Sequence, residues 1–199
     1  MREAWHNRRQ RIRVSRQKTL SRVPTLLLLC LCAWLAAVPG HSAEDAAYSE
    51  DEIKAAYLHR FAAYVEWPPE AAPASSFDIG VVGADAVLAQ LRRLLPAINV
   101  RGRAAHARAI ETAGDLNGVA ILYIAPGQLA AARRLIVAAR SAPVLIVTDD
   151  PAGLAAGAVV NFIRVGKNVR FEVSQPAAHR AGLKIDPALL AVAARVETR

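Results

Sequence analysis

Residues 159–196, VVNFIRVGKNVRFEVSQPAAHRAGLKIDPALLAVAARV, decide how the rest of the chain is read. Val159 to Val165 and Asn168 to Val173 are runs rich in β-branched and aromatic residues. Between them lies Gly166-Lys167, a glycine-led pair suited to a tight hairpin turn. With a two-residue loop, Val165 faces Asn168, Phe162 faces Phe171 and Val160 faces Val173, which gathers apolar side chains on one face. Asn161, Arg170 and Glu172 then share the opposite face, turned to solvent or to a partner. A three-residue loop shifts that register, and the sequence leaves both open. Beyond the hairpin, Gln175-Pro176 opens a short helical turn that Gly182 can close in the left-handed conformation. Asp186-Pro187 reads as an N-cap followed by a first-turn proline. The expected helix runs to about Val196, with Leu189, Leu190 and Val192 or Val196 as its apolar stripe.

Working outward from the hairpin, Ser49-Glu50-Asp51-Glu52 has the pattern of a capping box, with Tyr48 and Ile53 placed for a hydrophobic staple. Ile53, Tyr57, Phe61 and Tyr64 recur at helical spacing, Leu58 and Val65 widen the stripe, and Trp67-Pro68-Pro69 ends the helix. These aromatics describe a helix buried on a sheet or, alternatively, a partner groove with Trp67 at its rim. Phe77 to Val82 reads as a strand, and Asp85 as the N-cap of a helix through about Leu95. An edge-like strand follows from Ala104 to Ile110, then a near-continuous apolar strand from Val119 to Ile124. A helix over Gln128 to Arg140 exposes Arg133, Arg134 and Arg140 on a solvated side, and Pro143 to Val147 is another buried strand. Alternation of strand and helix predicts an α/β domain: a mainly parallel sheet with helices on both faces, completed by a C-terminal antiparallel β-hairpin.

The chain has 199 residues and a formal net charge of +8. Eight of its 25 Lys and Arg but one of its 17 acids fall in residues 1–43, so the remainder is nearly neutral and has no basic stripe for a nucleic acid. Residues 1–43 have the layout of a Sec-type signal peptide: an Arg-rich start, the apolar run Thr25 to Val38, then small residues, with cleavage after Gly40, Ala43 or Ala47. Residues 44–199 would then form a single domain in the periplasm. Cys30 and Cys32 both lie in the apolar run, so the processed protein would have no disulfide, thiol nucleophile or thiolate metal site.

The chemistry expected of an open α/β sheet lies beyond its strand C-termini. There the sequence offers Gly83, Asp85, Pro126-Gly127, Asp149 and Asp150. The three aspartates could line a ligand crevice or bind Mg²⁺, although turn formation and capping account for them as well. Gly80-Val81-Val82-Gly83 lacks the glycine spacing of a dinucleotide site. His59, His106 and His179 stand in separate elements, and no nucleophile elbow occurs. The expectation is therefore a binding protein with no catalytic residues, cofactor or metal.

Two segments resemble the YfiR family. Near the C-terminus the likeness is carried by Asn161-Phe162, Arg170-Phe171-Glu172-Val173 and Arg180-Ala181-Gly182-Leu183-Lys184-Ile185 with Leu189-Leu190. Near the start it is carried by Lys54-Ala55-Ala56, Phe61, Val65 and Glu66-Trp67-Pro68. The resemblance implies a periplasmic repressor that holds the sensing domain of an inner-membrane diguanylate cyclase, or another membrane sensor, inactive and so keeps cyclic di-GMP and biofilm formation low. A small-ligand sensing module without a cyclase partner is the alternative, and homodimerisation stays open. The expected partner surface combines Arg170 and Glu172 with Leu183, Ile185, Leu189 and Leu190, and the Trp67 rim is the next candidate. Leucines that merely close the core are the competing reading of that segment.

Overall fold

A computed structural model describes residues 48–69, 76–100, 102–140 and 142–199. The leader, its cleavage sites, the stretch Glu44 to Ala47 and most of the Pro68 to Ser76 connection lie outside the described residues.

The capping box forms as expected: the Ser49 amide donates to Glu52 Oε2 (2.8 Å) and the Glu52 amide to Ser49 Oγ (3.2 Å). It starts helix α1, Glu50–Tyr64. The staple does not form, because Tyr48 is 78% exposed while Ile53 packs at the core margin. The buried stripe is also rotated from the expected one. Its centre is Lys54, Leu58, Phe61 and Val65, and Tyr64 faces outward. Strands follow at β1 (Val65–Glu66), β2 (Ser76–Val82), β3 (Asn99–Val100), β4 (Arg103–Ala109), β5 (Val119–Ile124), β6 (Leu145–Thr148), β7 (Val160–Val165), β8 (Asn168–Ser174), β9 (Lys184–Ile185) and β10 (Arg195–Glu197). The helices after α1 are α2 (Asp85–Leu94), α3 (Arg133–Ala139), α4 (Gly153–Ala156), α5 (Gln175–Arg180) and α6 (Pro187–Val192).

Eight strands form one sheet in the order β10-β8-β7-β6-β5-β2-β4-β3. Pairing is parallel from β4 through β2, β5 and β6 to β7, and antiparallel within the β7–β8 hairpin and the short β3–β4 pair. Helices α1 and α2 and the loop after α5 bury one face, with Phe61, Leu91, Phe162, Phe171 and Leu183 among its core. Helix α3 covers part of the other, where Leu135 and Ile136 meet Leu122, Ile124 and Ile146. Strand β5 supplies both cores because it is buried on both sides, which explains its continuous apolar run.

The hairpin adopts the two-residue loop, pairing Val165 with Asn168, Phe162 with Phe171 and Val160 with Val173. Its aromatic face closes on α1: the Phe61 ring lies 5.2 Å from Phe171 and 5.9 Å from Phe162, and Tyr123 stands edge-on to Phe162 at 6.1 Å.

Four further expectations need correction. The terminal helix stops at Val192, and Arg195–Glu197 instead add an edge strand parallel to β8, since β8 would otherwise leave a row of backbone groups unpaired. Strand β4 is second from the edge, because Asn99–Val100 pairs outside it. Regular helix begins only at Arg133; the chain from Gln128 to Ala132 approaches it through turns. The N-cap of α2 is Ala84, and Asp85 is the first helical residue. A further element had no counterpart in the sequence reading: β1 and β9 pair antiparallel, Val65 with Ile185 and Glu66 with Lys184. That pair brings the two family-like segments, more than a hundred residues apart in sequence, into direct contact.

Candidate functional site

The strand order reverses around β2, which has β4 on one side and β5 on the other, so a doubly wound sheet would place its ligand crevice beside the C-terminal end of β2. There the Gln128 side chain packs on Gly83, since a Cβ at Gly83 would come within 2.5 Å of Gln128 Cγ. Asp85 is exposed at the start of α2.

Two strands away, the end of β6 carries Asp149 and Asp150, and neither is free. Lys54, only 5% exposed, reaches down from α1 to form an ion pair with Asp149 and a second one with Glu50 at 2.6 Å. Glu50 in turn pairs with Arg164 of β7. The Lys54 ammonium therefore stands where an acidic pocket would hold a cation. Nearby, burial pushes the Tyr123 hydroxyl well above the ordinary tyrosine range, and the Asp149 and Asp51 charges add to the effect. Asp150 is a turn residue: its Oδ1 accepts from the Ala152 amide (2.9 Å), and its own amide donates to Asn161 Oδ1 (3.2 Å). Asn161 also accepts from the buried Thr148 hydroxyl at 2.8 Å. Asp85, Asp149 and Asp150 are thus not brought together. Among the described residues no group of three His, Cys, Asp or Glu is arranged to hold a metal ion. His59, His106 and His179 lie on α1, β4 and α5, respectively.

The second candidate surface is at the hairpin edge of the sheet. Arg170 is exposed and donates from Nη2 to the Val192 carbonyl (3.2 Å), so the polar hairpin face and the end of α6 are continuous. Glu172 is half-buried and accepts from Arg195 Nε at 2.8 Å. That bond holds its carboxyl below the ordinary glutamate value, with the Arg195 charge and an Asn161 hydrogen bond acting in the same direction. Leu183 and Leu189 are buried and belong to the core; Ile185 and Leu190 are half-buried at its margin. Trp67 is half-buried with its ring edge-on to Phe77 at 5.2 Å. Val192, expected on the apolar stripe of the terminal helix, is instead 56% exposed, and the sequence reading missed the Arg195 side chain. Short polar–apolar alternation in Arg195-Val196-Glu197 was the available signal for β10.

The domain is thus a mainly parallel α/β sheet with a buried lysine paired to an acid at the end of β6 and a polar hairpin face joined to the end of α6. The comparisons give it a family. A family model described as YfiR/HmsC-like matches residues 51–194, and the chain belongs to that family, one of periplasmic regulators rather than catalysts. No curated protein matches. Among solved structures, the chain is similar to the crystal structure of a conserved domain protein from Vibrio cholerae O1 biovar El Tor str. N16961. The identity is 18% and the TM-score 0.47, over 75% of this chain and 60% of that one. No described helix is long and apolar enough to cross a membrane.

Proposed function

We propose that the chain is an exported regulator that binds the periplasmic domain of an inner-membrane signalling protein and holds it inactive. The partner of first choice is a diguanylate cyclase, so that cyclic di-GMP and biofilm formation stay low while the complex persists. Family membership supports the regulatory class. The observation that supports binding through the hairpin edge is the hydrogen bond that joins exposed Arg170 to the end of α6 at exposed Val192, with half-buried Ile163 opposite Arg170 in the hairpin ladder. Apolar side chains rimmed by charge are the usual composition of a protein interface. Leu183 and Leu189 contribute by fixing that surface from beneath. Release then requires a signal that changes the difference in affinity between free and bound states.

The experiment is affinity measurement between the full chain and the partner's periplasmic domain, with melting temperature measured in parallel. Arg170→Glu and Val192→Asp should weaken binding at least ten-fold at unchanged melting temperature. Retention of full affinity by both would place the interface elsewhere, with Trp67 next to be changed.

A further inference from the structure

Helix α3 carries a basic, aliphatic groove along its uncovered flank. One cavity of about 320 Å³ lies between its C-terminal end and α5, bounded by Val137, Val144, Ile146 and Val159 with Arg140 and Arg180. A second, of about 600 Å³, runs along α3 towards α4, bounded by Leu129, Ile136 and Ala155 with Arg133, Arg140 and Asp150. Both are bounded by Val137 and Arg140, so they meet at that point. Val137 is 61% exposed, an aliphatic side chain with no cover.

The charges along this groove are unbalanced. Arg133, Arg140 and Arg180 are exposed and form no ion pair or side-chain hydrogen bond among the described residues. The acid that bounds the groove, Asp150, is already engaged by the Ala152 amide. Arg140 is also seated rather than loose. It packs on Gly157, which ends α4 at φ +104°, and any Cβ there would come within 2.9 Å of Arg140 Nε. The glycine therefore meets a backbone need and leaves a notch for the guanidinium stem.

We infer that this groove binds a small anionic amphiphile, a carboxylate with an unbranched apolar tail, its head held between Arg140 and Arg180 and its tail laid along α3. Guanidinium groups are suited to a planar carboxylate because they present paired N–H donors. The aliphatic floor asks for a tail rather than for a second charge, and cavities of these sizes fall in the range of small-ligand sites. Helix α3, seven residues long, offers about 10 Å of groove. The inference goes beyond the regulatory reading, standing whichever membrane protein is the partner.

The test is calorimetric titration of the full chain with decanoate below its micelle concentration, alongside decanol and inorganic phosphate. Saturable decanoate binding is expected. It should weaken roughly ten-fold or more in R140Q and in R180Q, as loss of charge-assisted hydrogen bonds does, with melting temperature unchanged. Val137→Asp, which puts a like charge into the groove, should weaken it as well. Absence of saturable binding overturns the inference, as does full affinity in the R140Q/R180Q double variant. Decanol binding as tightly as decanoate removes the carboxylate clamp, and phosphate binding as tightly removes the tail; either result also overturns it.

Discussion

Replacing Lys54 by Met tests whether the buried ammonium holds the N-terminal helix to the strand ends. In the native protein Lys54 is 5% exposed and pairs with both Asp149 and Glu50. Methionine keeps the length and apolar character of the side chain, so packing changes little, but Asp149 is left charged and without its counter-ion. Removing one member of a buried ion pair costs about 3–5 kcal/mol. The Asp149 side chain retains 20% exposure, which lets water screen it, so the lower end, about 3 kcal/mol, applies. For a domain of this size each kcal/mol moves the melting temperature by about 2–4 °C, giving a fall of roughly 6–12 °C by calorimetry. Asp149→Asn in the Lys54→Met background should recover much of that fall, because the amide carries no charge to neutralise. A Lys54→Met protein that melts within about 2 °C of the parent, or a double variant that melts lower still, would refute the reasoning.

Three further outcomes follow from the same geometry. Phe171→Ala should cost about 3–5 kcal/mol and strongly lower the melting temperature, because the ring is 1% exposed and packed on Phe61, while Arg170→Ala should stay within about 0.5 kcal/mol; equal effects would reverse the face assignment. The Glu172 carboxyl is held below its ordinary value of 4.5, so the folded state takes up protons later than the unfolded one, and stability is lost as pH falls through the depressed value. Amide-exchange protection of Val196 should therefore drop on acidification below about 4.5 in the parent and lose that pH dependence in Glu172→Gln. His59 is held below 6.5 by partial burial and by the Arg60 charge, so the unfolded chain protonates first and stability falls as pH drops below 6.5; melting curves of His59→Gln should show a shallower decline over that interval than the parent.

The parts of this fold that the sequence makes legible are those governed by local periodicity and turn chemistry. Phe162 and Val160 alternate along one strand, as Phe171 and Val173 do along the other; of the two registers the sequence leaves open, the two-residue turn that Gly166 accepts with φ +61° sets all four on one face. Ser49 and Glu52 announce their helix start, as do Asp186 and Pro187 theirs. Pairings decided by a distant neighbour are harder to read. Strand β10 depends on the open edge of β8, and its three residues follow an alanine-rich helix that could as well have continued. The β1–β9 pair joins two-residue segments too short to show a pattern. Lys54 escaped notice because its partner lies 95 residues away, although its spacing from Leu58 and Phe61 puts it on the buried stripe of α1. That spacing was the available signal: a charge on an apolar stripe calls for a counter-ion, which Glu50 and Asp149 supply. Leu183 and Leu189 follow an apolar pattern that suits core and interface equally, and only packing against α1 and the hairpin distinguishes them.

The regulatory account is tested most directly by cyclic di-GMP quantified by mass spectrometry in the producing bacterium. Strains to compare are the parent, a deletion of this gene, and the deletion carrying the full-length chain or its Arg170→Glu variant. Repression predicts that the nucleotide rises on deletion, returns to the parental level with the full-length chain, and stays high with Arg170→Glu present at equal abundance in the periplasm. Nucleotide levels that are the same in the parent and the deletion strain would contradict it.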